Sequence, residues 1–469
     1  MTVRRGVLIG PLAVLLSGFL SGCAGEPPLR AAPLPVVSDT PAPTGAPIDP
    51  EILKKHDATI RHSGNLRPLA GVRNPPPFDT AAAIGTDLAF TGGHAIAGNY
   101  EGFTVYDVSA PGRPAVVSQV YCPGPQNDVT VSGNLLFLSV DLPMGSASCD
   151  PGVSGRTWEG LRIFDITDKA APKYVGAVAT PCGSHTATLV SADARNVVLY
   201  SSSAPSRLGG GASAACERNK GRLTVVKVPV GDPARAVVAA TPLVLDDGGT
   251  ALPEPFGYGG CHDVTVFAAK KLAAASCIGD GLLLDVSDPY DPRVLDRVQD
   301  PEHFGYWHSA VFTRDGDRVV FSDEFGAGRS VVCDPKAGPA LGGNGVYAIK
   351  DGKLELLGYF KIPRPQLAPK TCSAHNGSLV PARGRDMMVQ GWYDGGVSVI
   401  DFTDPARARE IAYFQREKSP FDHGGSWAAY FYAGHIYSSD MIAGLDVLKL
   451  TGVPFDPAGP GEFNPQTQR

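Results

Sequence analysis

Short apolar runs that alternate with polar positions fill the chain from about residue 60 to residue 450, and four of them are close copies. Gly102-FTVYDVSAPGRP, Gly160-LRIFDITDKAAP, Gly281-LLLDVSDPYDP and Gly396-VSVIDFTDPARA each open on a glycine and continue as an alternating apolar stretch. Each then reaches an Asp, a Ser or Thr, and a proline-bearing turn. A period of two marks a strand. The Asp can accept hydrogen bonds from the amides that follow it, and the proline presets φ for the reversal into the next strand. Weaker copies start at Gly221-RLTVVKVP, Gly345-VYAIKDG and Gly444-LDVLKL. From Gly102 to Gly444 is 342 residues over six intervals, a mean period of 57. A strand follows each turn (Lys173-YVGAVAT, Arg293-VLDRVQD), and two precede each glycine (Asp128-VTVSG, Asn134-LLFLSVD). The pattern predicts an all-β fold, a seven-bladed β-propeller of four-stranded antiparallel blades. After Leu450 no outer strand follows, whereas Asn65-LRPLAGVRNPP reads as one. This N-terminal strand is predicted to complete the last blade and close the ring, hiding two sheet edges.

The repeats resemble the LVIVD-repeat family of bacterial surface propellers, named for an apolar run that ends in Asp. The resemblance covers about residues 60 to 450; it is close in the first four copies and poor around Gly221, Gly345 and Gly444, where the Asp is missing. It implies a surface propeller and brings little chemistry with it.

The ends have a different composition. Arg4 and Arg5 precede an apolar stretch, Gly6 to Leu20, that is short for a spanning helix. Leu20-Ser21-Gly22-Cys23 resembles a bacterial lipobox, which implies cleavage before Cys23 and lipidation of that residue. The expected organisation is a signal peptide at 1–22, a Pro/Ala-rich tether at 23–55, the propeller at 56–452 and a disordered tail at 453–469. The expected location is extracytoplasmic, lipid-anchored to the bacterial cell membrane, since several acyl chains hold a protein stably where one would not. Hydrophobic residues make up 43% and charged ones 19%, which allows a large core. The net charge of −6 comes with no basic stripe, so nucleic acid is not an expected partner.

Eight cysteines remain besides Cys23, an even number that points to disulfides in an exported chain. Cys122, Cys182, Cys261 and Cys372 precede or begin innermost strands, whereas Cys149, Cys216, Cys277 and Cys333 follow second strands. Those two places lie on one face of a blade, so the expected pairs are 122–149, 182–216, 261–277 and 333–372.

Innermost strands line a propeller's channel, and their first residues surround its mouth. At these positions stand His185, His262, His308, His375 and His423, five of the ten histidines; the other two blades carry Asn127-Asp128 and Asp79. Grouped neutral imidazoles ligate copper or zinc, and Asp141, Asp323, Glu324, Asp394 and Asp440 should reach the same mouth. A histidine at a strand start can equally bond a neighbouring blade and act structurally. Trp307 and Trp392 border the mouth and suit a sugar or peptide ligand, although tryptophans also wedge between blades. Trp427 is expected in the core. No GxSxG, P-loop or HExxH occurs.

Two functional readings follow. One is a membrane-anchored, non-catalytic binding or scaffold protein with a protein, peptide or carbohydrate partner on the His, Trp and Cys face. The other is a copper- or zinc-dependent oxidoreductase, similar in outline to the histidine-rich propellers of nitrous oxide reductases. The lipobox generates the first test. Cys23→Ser should yield a folded protein in the soluble fraction, while the parent pellets with membranes through a salt wash. Membrane-bound Cys23→Ser protein would overturn the anchor.

Overall fold

The computed structural model describes residues 47–469 except 145–146, 150–157, 204–215, 217, 251–259, 327, 331, 367–369, 417–423 and 457–458. The signal peptide, Cys23, the tether up to residue 46 and His423 therefore lie outside the described residues.

The strands group into seven four-stranded antiparallel units. Their first strands are Gly85–Thr91, Gln126–Ser132, Thr186–Ala192, Asp263–Phe267, Trp307–Phe312, Asn376–Val380 and Ser426–Tyr432, here the inner strands of blades 1 to 7. Each inner strand contacts the next, and that of blade 7 contacts that of blade 1, so the ring is closed. Blade 7 takes its outer strand from the N-terminal side: Leu66–Val72 pairs antiparallel with Gly444–Leu450, from Leu66 opposite Leu450 to Val72 opposite Leu445.

Local chemistry explains the repeat. Asp107, Asp165, Asp285 and Asp401 each accept a hydrogen bond from the amide two residues on, at 2.8, 2.8, 2.9 and 3.1 Å. The glycine answers to the outer strand. Gly102 and Gly444 sit at φ of 150° and 87°, and a Cβ on either would overlap a carbonyl of its neighbouring outer strand, Val120 O or Val72 O. The core lies between blades: Phe103, Val105 and Val120 of blade 1 pack with Val129, Val131, Leu136 and Leu138 of blade 2. All four disulfides join the expected partners, 122–149, 182–216, 261–277 and 333–372.

Two boundaries differ from expectation. Residues 47–55 belong to the domain and not to a tether: Pro47 bridges Thr80, and a helix, Pro50–Asp57, is capped by Asp49 and buries His56. Ile60–His62 then adds a fifth strand to the outer edge of blade 6. The tail is ordered where it is described. Phe455 packs on Phe431, and Phe463 exchanges backbone hydrogen bonds with Phe90 of blade 1. Asn464 bonds both the N–H and the carbonyl of Val131 in blade 2, at 2.7 Å each. Thr467 reaches Leu189 of blade 3. Thr467–Gln468 runs parallel to the inner strand of blade 4, and Gln468 bonds Phe312 N and O in blade 5. A Pro/Gly-rich composition signalled disorder, but these polar side chains satisfy inner-strand groups that a packed channel floor would otherwise strand. Asn464→Ala leaves two buried backbone groups unpaired, so denaturant melts should show a loss of about 2–6 kcal/mol, at about 1–3 per group.

Candidate metal centre

Four of the five expected histidines meet at one end of the channel. His185 and His262 stand immediately before the inner strands of blades 3 and 4, where their amides bond Ser202 O and Ser276 O. His308 is the second residue of the blade 5 strand, and His375 stands immediately before that of blade 6. Adjacent inner strands place the imidazoles side by side, with ring centroids 4.0 Å apart for His185 and His262, 4.1 Å for His262 and His308, and 4.3 Å for His308 and His375. All four are buried.

Three rings have one nitrogen held. His185 Nδ1 donates to Asp141 Oδ2 at 3.1 Å, His262 Nδ1 faces Asp263 Oδ1 at 3.2 Å, and His375 Nδ1 donates to Trp427 O at 2.6 Å. An acceptor at Nδ1 fixes the tautomer and leaves Nε2 with its lone pair. Glu324 lies across the other end: its carboxylate is 3.6 Å from both His308 Nε2 and His375 Nε2 and accepts from the Tyr393 hydroxyl. His308 Nδ1, Asp128 Oδ2 and Asp263 Oδ2 are buried with no hydrogen-bond partner among the described residues. Asp128, Asp263 and the four imidazoles line a cavity of about 10 Å³, on the scale of a single water. Ligand atoms of His185, His262 and Asp263 lie within 4.8 Å of one another, as do those of His262, His308 and Glu324.

Burial sets the charge states. Desolvation, and then the neighbouring imidazoles, hold His262 and His308 well below the usual histidine range. Desolvation pushes His375 down to about 3 against the pull of Trp427 O. Burial also opposes protonation of His185, but the Asp141 bond outweighs it and raises that ring. The same desolvation pushes Glu324 up to about 8 and Asp263 to about 6. Asp87 rises to about 6, and Asp128 rises further under burial and the charges of Asp87 and Asp263. Among the described residues no lysine or arginine lines the cavity.

The remaining candidates divide. Asp128 belongs to the cavity. Asp323 accepts from Tyr306 N and Gly342 N, Asp394 from Thr371 N, and Asp440 from Ile442 N and Ala443 N while facing Arg416, so these three tie loops and do not line the histidine cavity. Trp307 and Trp392 are not a ligand platform. Trp307 is 1% exposed, lies over Gly281 and packs on Phe304 and Phe321; Trp392 is 0% exposed against Phe360. Trp427 is in the core, its ring 4.7 Å from that of His375. Asp79 is half-buried and does not line the cavity. Sequence reasoning missed Asp87, held by Asn376 and by the hydroxyl of Tyr430, and gave no role to Asp263. A signal for them exists: Thr86-Asp87-Leu88, Asn127-Asp128-Val129 and His262-Asp263-Val264 place an Asp at one position of three inner strands.

No family model matches the chain, and no curated protein matches it. Among solved structures it is similar to the periplasmic gluconolactonase PpgL of Pseudomonas aeruginosa, with 13% identity, a TM-score of 0.51, and coverage of 80% of this chain and 97% of that one. A second match is the Cps50 (Swd1) β-propeller domain of Myceliophteria thermophila, at 10% identity and a TM-score of 0.48, covering 81% and 99%. At this identity the gluconolactonase likeness shows a propeller fold alone. The disulfides indicate an oxidising compartment, and no described helix is long and apolar enough to cross a membrane.

Glu324 supplies a pH test. Its folded pKa, about 8, exceeds its ordinary 4.5, so between those values the folded state binds the proton that the unfolded state has released. Stability from this group is therefore present below pH 4.5 and is lost as pH rises through 8. In metal-free protein, the melting temperature of Glu324→Gln relative to the parent should climb over that interval. An unchanged difference would overturn the assignment.

Proposed function

We propose that this chain is an exported, lipid-anchored LVIVD-type propeller that binds copper or zinc among His185, His262, His308, His375, Asp263 and Glu324. The observation that carries the reading is the orientation of the rings. His185 and His375 each present Nδ1 to a carboxylate or carbonyl, an arrangement that steadies an imidazole and makes its Nε2 a better donor. A purely structural ring has no need of a fourth imidazole with an unpartnered Nδ1, or of buried carboxylates with no lysine or arginine among the described residues of the cavity.

Donor chemistry narrows the metal. Imidazole nitrogens mixed with one or two carboxylates suit zinc and copper, whereas calcium and magnesium prefer all-oxygen shells. Burial holds His262, His308 and His375 neutral at neutral pH, so no proton competes for their free lone pairs. When bound, the ion supplies Lewis acidity or, for copper, one-electron chemistry. The protein's own part is to hold the donors, exclude bulk water and present the ion at the channel mouth. The cavity's size favours an ion over the sugar or peptide that a scaffold reading requires, as does the burial of both tryptophans.

The test is elemental analysis of protein purified without added metal, then stripped and reloaded with copper or zinc. Stoichiometric binding is expected, with His262→Ala weakening it by at least about tenfold while the circular dichroism stays that of a β-propeller. Protein that resists loading, with His262→Ala lowering only stability, would make the histidine ring structural and favour the scaffold reading.

A further inference from the structure

The donors do not converge on a single point. The two triads, His185–His262–Asp263 and His262–His308–Glu324, are each compact to within 4.8 Å and have only His262 in common. Ligands about 2.1 Å from a tetrahedral ion lie about 3.4 Å from one another. Each triad already has an edge of that length: 3.2 Å from His262 Nδ1 to Asp263 Oδ1, and 3.6 Å from His308 Nε2 to Glu324 Oε2. His375 Nε2, 3.6 Å from Glu324 Oε1, adds a further donor at the second triad.

We infer that the centre holds two transition-metal ions, one per triad, bridged by the two ring nitrogens of His262. This rests on the metal-binding reading above. Nδ1 of His262 faces the first triad through Asp263, leaving Nε2 for the second. In the metal-free ring one proton occupies the line between Nδ1 and Asp263. The ion of the first triad takes its place, forming bonds to Nδ1 and to the carboxylate while the proton leaves to solvent. No electron is transferred.

Charge favours cations at the centre. Asp128 and Asp263 line the cavity, Glu324 stands beside His308 and His375, and among the described residues no lysine or arginine lines it. A bridging imidazolate then places its negative charge between two cations, where repulsion between the ions is greatest.

The experiment uses the full chain, stripped with a chelator, loaded with Cu(II) or Zn(II), desalted and counted. Two ions per chain are expected. One ion would overturn the two-ion inference and leave the metal-binding reading standing; none would overturn both. Frozen-solution electron paramagnetic resonance of the copper form gives an independent readout. Two Cu(II) ions on one imidazolate are spin-coupled, so the ordinary single-copper signal should fall well below one spin per chain. Two bound coppers with full, uncoupled intensity would remove the bridge. Asp263→Asn and Glu324→Gln should each lower the count from two to one. Retention of two ions in both variants would overturn the assignment of the triads, and if either variant fails to fold the parent's count and spectrum decide.

Discussion

The backbone pairing of Leu66–Val72 with Gly444–Leu450 joins chain segments that lie 386 positions apart where Asn65 meets Thr451, and the channel cannot exist without it. Leaving that pair open would expose the third strand of blade 7 as an edge and release the contact between the inner strands of blades 7 and 1. Arg416 reinforces the joint from blade 6, with two nitrogens on Asp446 and one facing Asp440, and with Asp57 at the end of the N-terminal helix. Arg416, Asp440 and Asp446 are buried, so each depends on the others for its compensation. The glycine that begins the seventh repeat serves the same joint. A side chain at Gly444 would overlap Val72 O in the strand that closes the ring.

Closure is what dries the channel, and drying acts on acids and bases in opposite senses. Removing water disfavours every charge, so imidazoles lose their protons and carboxylates keep theirs. The metal-free centre is thereby driven toward neutrality, as the lowered His262, His308 and His375 and the raised Asp263 and Glu324 all show. His185 departs from the pattern because Asp141 bonds its ring. A desolvated cluster of this kind suits a cation: a bound ion would restore the ionised form of the acids, while His308 and His375 need no change of protonation to coordinate.

What the sequence made legible was whatever local chemistry repeats. The Asp of each good copy bonds the amide two residues later, and that bond is visible as a spacing. The disulfide partners follow once strands are assigned to blades, because register alone brings Cys122 to Cys149 or Cys333 to Cys372. Four histidines and Glu324 were found for the same reason, since they recur at strand starts or just past second strands. Features made by long-range fit were not legible. Trp307 fills the space left by a glycine in the preceding blade, which no linear pattern around Trp307 records. Asn464 and Gln468 look like ordinary polar tail residues until inner strands from separate blades are set beside them. Asp87 sat in view at the start of an inner strand, but without a histidine beside it the shared position went unread.

The segment from Phe463 to Gln468 has a consequence for assembly. It crosses the channel floor by bonding five blades, and in a chain made from its N-terminus it becomes available only after all seven blades. Leu66–Val72, made early, must likewise wait for Gly444–Leu450 before it has a partner. The histidines of blades 3 to 6 can therefore be synthesised and brought near one another while the ring is still open at its seam and beneath. During that interval their rings are hydrated and reachable from two directions, and only completion of both joins confines access to one. The order of synthesis thus leaves the histidines open to solvent from beneath for an interval that ends when this segment docks.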